Sequence, residues 1–184
     1  MRRALRLGAA LLIFLYLPGC GGSDRVAEGG RVGMDMQGAA DRADEILDQV
    51  MREIKPAVQW AHGPTSTGRC DVSRMRVVMT VVSEERRGSL LGVVDRFWRK
   101  NGYRIKAVNK DVDLPAIYAQ TSDGFGVTLS VGGKGQAFFE VDSPCVEESE
   151  VAESTTPPNG PSYDGVYPLP RPNVRDDFWS DGAP

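Results

Sequence analysis

The chain has 184 residues and a formal net charge of −3, with three cysteines and one histidine. Residues 20–145 carry 17 basic and 17 acidic side chains, so no basic excess is present for a nucleic acid partner. Two distant cysteines and the single His62 do not form a zinc ligand set. We therefore expect no nucleic acid partner, no bound metal and no cofactor.

Residues 1–19 are predicted to be a signal peptide. Three arginines precede an apolar run from Leu7 to Leu17, which is the layout of a secretory signal. As a helix this run would rise only about 16 Å, which is short against a bilayer core of about 30 Å. Leu17-Pro18-Gly19-Cys20 resembles the lipobox of bacterial lipoproteins, although Ala or Ser is usual in place of Pro18. The resemblance implies cleavage before Cys20 and acylation of that cysteine, for example with palmitate. The alternative is a plain signal peptide with a chance cysteine.

Cysteine use agrees with an exported protein. If Cys20 carries lipid, Cys70 and Cys145 remain, and they permit one disulfide. That bridge would close a loop of about 75 residues and contribute roughly 4 kcal/mol in the chain-entropy model. The alternative is two free buried thiols.

The first half of the mature chain is predicted to contain two helices and two strands. Residues 20–34 form a glycine-rich flexible tether. A helix at 36–54, with Asp35 as its N-cap, has one apolar face and places Asp44 and Asp48 on the solvated face. Strands at 57–61 and 74–82 flank a loop at 62–73. A second helix at 83–100 has Ser83 as its candidate N-cap and ends at Asn101-Gly102.

Four further strands are predicted at 103–108, 116–121, 125–131 and 136–141, with a tight turn at Asp123-Gly124. The order α-β-β-α-β-β-β-β predicts an α+β domain over 35–146. We expect an antiparallel sheet of about five to six strands with both helices on one face.

Residues 147–184 have a different composition. They contain eight acidic residues against two arginines, and seven of the twelve prolines. This composition predicts a disordered acidic tail. Its aromatic residues either contact the domain or a partner, or remain solvated: Tyr163, Tyr167, Phe178 and Trp179.

The search for chemistry yields no predicted catalytic residue. His62 lies in a Gly/Pro loop and is expected to be solvated. Gly132-Gly133-Lys134-Gly135 lacks the P-loop spacing and predicts a hairpin turn. Two pairs of acids, which a glycoside hydrolase would need in a cleft, have ordinary surface positions: Asp111 with Asp113, and Glu140 with Asp142.

Aromatic residues are the remaining candidates for function: Trp60, Trp98, Tyr103, Tyr118, Phe125, Phe138 and Phe139. Strand alternation places Phe138 and Phe139 on opposite faces, so one of them is expected outside the main core. An exposed aromatic patch would bind a partner or a glycan. The alternative is that the helices cover both residues.

Four motifs between residues 77 and 145 carry a family resemblance. They are Phe97-Trp98-Arg99-Lys100-Asn101-Gly102-Tyr103, Ala116-Ile117-Tyr118-Ala119, Asp123-Gly124-Phe125 and Ser143-Pro144-Cys145. This stretch resembles small uncharacterised actinobacterial lipoproteins. The resemblance implies a domain anchored on the outer face of the cytoplasmic membrane, and it implies no activity.

Two functions follow as expectations. The first is a membrane-anchored, extracytoplasmic, non-enzymatic binding or accessory module for a protein or cell-wall partner, acting through the sheet face or the acidic tail. The second is a cell-envelope hydrolase with an acidic active site. A deep cleft holding two carboxylates of raised pKa would favour the hydrolase, whereas a shallow face with exposed aromatic residues would favour binding.

Overall fold

The structure is a computed structural model that describes residues 33–161, 163, 166 and 168–182. The predicted signal peptide, Cys20, most of the tether and Tyr167 lie outside the described residues. Within the described part of the chain, no helix is both long and apolar enough to cross a membrane.

The described residues form an α+β domain with two helices and a sheet of seven strands. In chain order the elements are α1 (Met36–Glu53), β1 (Trp60–His62), β2 (Ser66–Thr67), β3 (Val72–Val78), α2 (Glu84–Lys100), β4 (Arg104–Asn109), β5 (Ala116–Gln120), β6 (Gly126–Val131) and β7 (Ala137–Asp142). The predicted class and the six predicted strands are confirmed. The seventh strand is the two-residue β2, which lies in the segment predicted to be a loop.

Every strand pair in the sheet is antiparallel. The strand order is β1-β3-β7-β6-β5-β4, and β2 pairs with β3 outside this path. The predicted turns are confirmed, because β5 and β6 are joined through Gly124 at φ +94° and β6 and β7 through the short 3₁₀ turn Gly133–Gly135. Strand β4 forms one edge, and its register with β5 shifts between Ile105 and Ala107.

Both helices pack on the same face of the sheet and share one apolar core. The core takes Ile46 and Leu47 from α1, Leu90 and Trp98 from α2, and the inward residues of the strands. The α1 prediction is confirmed at its start, where the Asp35 carboxylate accepts a hydrogen bond from the Gly38 N–H at 2.8 Å. Ser83 is the N-cap residue of α2, as predicted, but its side chain makes no capping hydrogen bond.

The C-terminal segment is folded against the domain in its described residues, so the prediction of a disordered tail is wrong there. Trp179 is 1% exposed and belongs to the main core. Its indole Nε1–H donates to the Pro56 carbonyl at 2.7 Å. The neighbouring Phe178 ring lies edge-on against Trp179 and under the Arg86 guanidinium. The composition of the segment predicts disorder because acidic residues and prolines dominate it. A few apolar side chains nevertheless hold the segment against the domain.

The same segment covers part of the sheet face that the helices leave open. Tyr163, Leu169 and Val174 pack against a second apolar cluster that includes Val77 and Phe138. Backbone bonds fix the contact: the Val81 N–H donates to the Val174 carbonyl, and the Val174 N–H donates to the Met79 carbonyl. Strand β3 therefore ends at Val78, before the predicted residue 82, because the chain beyond it pairs with the C-terminal segment.

A disulfide joins Cys70 and Cys145, as the cysteine count predicts. Cys70 precedes β3 and Cys145 follows β7, and these two strands are paired neighbours in the sheet. The Val146 N–H donates to the Cys70 carbonyl beside the bridge. The bridge thus fixes the point at which the C-terminal segment leaves the sheet.

We expect Trp179→Ala to destabilise the domain by about 3–5 kcal/mol, because a buried indole and its hydrogen bond to Pro56 are lost. The measurement is the free energy of unfolding in urea, followed by circular dichroism. Val166→Ala is the control in the same segment, since Val166 is 51% exposed and should change stability by less than about 0.5 kcal/mol. Equal midpoints for the two variants would contradict the packing of the tail.

Candidate functional site

A cluster of charged side chains lies between α1 and the sheet. We call Asp44, Asp48, Arg74 and Arg76 the buried charged cluster. The carboxylates are four residues apart on α1, so they share one helix face, and the arginines are two apart on β3, so they share one strand face. Arg74 is 3% exposed and Arg76 1% exposed. The prediction that Asp44 faces solvent is wrong, since it is 8% exposed.

Ion pairs connect the two elements. The Arg76 Nη2 atom lies 2.5 Å from an oxygen of Asp48 and 3.9 Å from one of Asp44, while the Arg74 Nε atom lies 3.4 Å from Asp44. Burial raises the pKa of Asp44 despite the nearby arginines. Burial likewise lowers the pKa of Arg76, although its contact with Asp48 opposes that change. Desolvation therefore dominates both groups.

The C-terminal segment closes over this cluster. The Arg74 guanidinium donates to the Ala152 carbonyl at 2.6 Å, and the Thr156 hydroxyl donates to Asp48 at 3.3 Å. His62 ends β1 and is half-buried, so it is not the solvated loop residue that the sequence suggested. Its Nε2 lies 2.8 Å from the Thr156 carbonyl, and since a carbonyl only accepts, the imidazole donates there.

Trp60 completes the cluster from β1. The Arg76 guanidinium lies 4.0 Å from the centre of the Trp60 ring, and the His62 ring meets the same indole edge-on at 5.1 Å. These contacts join the charged and aromatic groups to one another, although the buried Nε atoms of Arg74 and Arg76 make no hydrogen bond within the described part of the chain. The arrangement ties β1, β3, α1 and the C-terminal segment together, which is a structural role.

The predicted acid pairs do not meet in a cleft. Asp111 closes the β4–β5 loop, because its carboxylate accepts from the N–H groups of Asp113 and Leu114 at 2.9 and 2.8 Å. Glu140 and Asp142 lie on β7, on the face opposite the helices. Gly132–Gly135 is a hairpin turn between β6 and β7, as predicted.

The part of this opposite face that the C-terminal segment leaves open is polar and shallow. We call it the open polar face: Ser73, Tyr118, Thr128, Glu140 and Asp142. Strand register puts Tyr118, Thr128 and Glu140 in one row across β5, β6 and β7. Tyr118 is 41% exposed.

Glu140 is the perturbed acid of this face. Partial burial raises its pKa, the Asp142 carboxylate raises it further, and the hydrogen bond from the Ser73 hydroxyl at 3.1 Å opposes the change. The face therefore offers one phenol ring, two hydroxyls and two carboxylates in a plane, a set suited to a ligand rich in hydroxyl groups.

Strand alternation separates Phe138 from Phe139 as predicted. Phe139 is 1% exposed in the main core, whereas Phe138 faces the other way and packs under the C-terminal segment. Of the remaining aromatic candidates, Trp60, Trp98 and Phe125 are buried and Tyr103 is half-buried, which leaves Tyr118 as the exposed one.

The buried charged cluster is the feature that sequence reasoning missed. Its signal was two arginines at alternate positions of an otherwise apolar strand, together with two aspartates four apart on an amphipathic helix. Among the described residues, no group of three or more His, Cys, Asp or Glu side chains is placed to hold a metal ion.

Comparison with known proteins finds no match: no family model, no curated protein and no solved structure matches the chain. The resemblance to actinobacterial lipoproteins therefore remains a prediction.

We expect Glu140→Gln to stabilise the protein progressively as the pH rises from about 3 to about 7. The folded-state pKa of Glu140 is raised, so folding favours its protonated form and native stability falls as the carboxyl ionises. Glutamine keeps an acceptor for Ser73 and removes this loss. Urea unfolding at several pH values measures the difference between variant and parent, and Glu150→Gln on the exposed tail is the control. A difference independent of pH would contradict the raised pKa.

Proposed function

We propose that the protein is a lipid-anchored module on the outer face of the cell membrane, held through Cys20, and that it binds a cell-envelope ligand without transforming it. The disulfide carries this proposal. Cys70 and Cys145 are paired with each other, so Cys20 is the one cysteine of the three outside the bridge. It lies three residues after Leu17, the end of the apolar run, at the position that lipoprotein signals modify.

The open polar face is the proposed ligand surface. It is shallow, and its exposed ring is Tyr118, flanked by the Thr128 hydroxyl and the Glu140 carboxylate in the same row. An aromatic ring packs against the apolar face of a sugar, while hydroxyl and carboxylate oxygens accept hydrogen bonds from sugar hydroxyls. A glycan of the cell envelope fits this chemistry.

The acidic tail is not the preferred ligand-binding element. Its described residues contact the domain itself. Trp179 lies in the core, and Val174 pairs with Thr80, just beyond the end of β3. A segment bound in this way must be released before it can bind elsewhere. The open polar face needs no such release.

A hydrolase is the second candidate, and one observation favours it. The raised pKa of Glu140 is what a general acid requires. Asp142 lies two residues further along the same strand, which places the two α-carbons about 7 Å apart. Glycosidases hold their two carboxyl groups about 5–10 Å apart. The surface is an open strand face and not a cleft, which is why binding is preferred.

We expect Cys20→Ser to abolish incorporation of an alkyne-labelled palmitate and to move the protein out of the membrane fraction, because the thiol proposed to carry the lipid is lost while Cys70 and Cys145 are paired with each other. The measurement is labelling in cells followed by fractionation and immunoblotting. The matched control is the double variant Cys70→Ser, Cys145→Ser, which should keep the label and the membrane location. Mature Cys20→Ser protein that stays in the membrane would reject the anchor.

We expect Tyr118→Ala to weaken binding of N-acetylglucosamine oligomers by about ten-fold, since a contact of about 1.4 kcal/mol corresponds to that factor. Titration of the purified chain, followed by nuclear magnetic resonance, measures the dissociation constant.

Tyr118→Phe keeps the ring and should retain most of the affinity. Val112→Ala changes an apolar residue that is 86% exposed outside this face, and should have no effect. Identical affinity for parent and Tyr118→Ala would reject the surface. Shortening of the oligomers by the parent but not by Glu140→Gln would establish the hydrolase instead.

A further inference from the structure

A groove lies between the end of α1 and the outer side of α2. Its volume is about 340 Å³, and it is lined by Glu53, Lys55, Val93, Arg96, Phe97 and Lys100. This volume is at the lower end of the range for sites that hold small molecules. The groove is on the helix side of the domain, so it is separate from the open polar face.

Helical spacing explains the lining. Val93, Arg96, Phe97 and Lys100 recur at intervals of three and one residues, so they form a single stripe along the last two turns of α2. Val93 and Phe97 are partly buried and pack against the main core. They provide a fixed apolar floor, while the two cationic side chains stand at its rim.

The cations of the groove differ from the other arginines of α2 in their pairing. Each of these other arginines has an acidic partner within 4 Å. The pairs are Arg86 with Asp181 at 3.4 Å, Arg87 with Glu84 at 3.8 Å and Arg99 with Asp95 at 2.9 Å. No acidic group lies within 4.0 Å of the side-chain nitrogens of Lys55, Arg96 or Lys100 among the described residues.

The groove therefore has an uncompensated positive charge. Three cations face one carboxylate, that of Glu53. The three cationic side chains are also exposed, so they remain free to bind a ligand. Cations near a helix C-terminus also interact with the helix dipole, but Arg99 has the same place in the last turn and still pairs with Asp95. The helix dipole alone does not explain why the groove cations stay unpaired.

We propose that this groove binds a small phosphorylated molecule whose body is an apolar ring. A phosphate with two negative charges matches Arg96, Lys100 and Lys55, and Arg is suited to bidentate phosphate contacts. The ring would lie on the floor formed by Val93 and Phe97. The Glu53 carboxylate opposes the anion and makes the affinity moderate. This proposal is independent of the anchor and of the glycan surface.

Phenyl phosphate and inorganic phosphate are the probes, titrated into the purified full chain in non-ionic detergent. We expect phenyl phosphate to bind at least five-fold more tightly than inorganic phosphate, with chemical-shift changes centred on Val93 and Phe97. The double variant Arg96→Gln, Lys100→Gln should weaken the binding at least ten-fold. Arg99→Gln, on the same helical turn but outside the groove, should change it by less than two-fold.

Glu53→Gln provides a test of opposite sign, because removing the carboxylate should tighten the binding about three-fold. All variants keep the fold if their unfolding midpoints match the parent. Loss of binding in Arg99→Gln equal to that in the double variant would overturn the proposal, since any cation would then serve. Equal affinity for both phosphates would also overturn it. Binding to vesicles of phosphatidylglycerol without binding to phenyl phosphate would replace it with a lipid surface.

Discussion

The Arg76 guanidinium is the point on which the packing of the domain depends. It is 1% exposed, and it contacts Asp48 of α1 and the Trp60 ring of β1. Asp48 in turn accepts a hydrogen bond from Thr156 of the C-terminal segment. A charge buried this deeply costs about 3–5 kcal/mol when its partner is removed. This one side chain therefore links the position of α1 on the sheet to the path of the C-terminal segment, which the disulfide and the buried Trp179 also hold.

The two faces of β3 show how this constraint specifies the fold. Arg74 and Arg76 face α1, whereas Val77 and Met79 face the C-terminal segment. A shift of the strand by one residue would exchange the faces and place two guanidinium groups against Phe138 and its neighbours. Register errors are therefore costly in this strand. The disulfide acts on the same pair, because Cys70 and Cys145 flank β3 and β7.

The sequence predicted the parts of this structure that local patterns determine. Helical periodicity placed α1 and α2 within a residue or two of their bounds, and alternation separated Phe138 from Phe139. The two largest misses, the burial of Asp44 and the folded C-terminal segment, depend on contacts between distant residues. Asp44 lies on the polar side of a helix, and its burial requires Arg74, which is 30 residues later. The local pattern contains no information about such a partner.

The C-terminal segment gives the same lesson more strongly. Composition averages over 147–184, and the average is acidic and rich in proline. The burial of Trp179 depends instead on a single side chain, whose ring packs in the main core and whose Nε1–H donates to the Pro56 carbonyl. For the open polar face, alternation could place Glu140 and Asp142 together, but which face stays uncovered depended on where Tyr163, Leu169 and Val174 pack.

The C-terminal segment also explains why charge is unevenly distributed on α2. Asp181 and Phe178 meet Arg86, near the first turn of the helix. Arg96 lies ten residues further on, about 15 Å along the axis. The described tail thus supplies an ion-pair partner near the start of α2, whereas in the last two turns the partner comes from the helix itself. Asp95 there pairs with Arg99, so Arg96 and Lys100 keep their charge without a partner beside an apolar floor. A domain whose tail pairs with one end of a helix and covers part of one sheet face retains two separate surfaces with opposite chemistry, one cationic and one rich in acceptors.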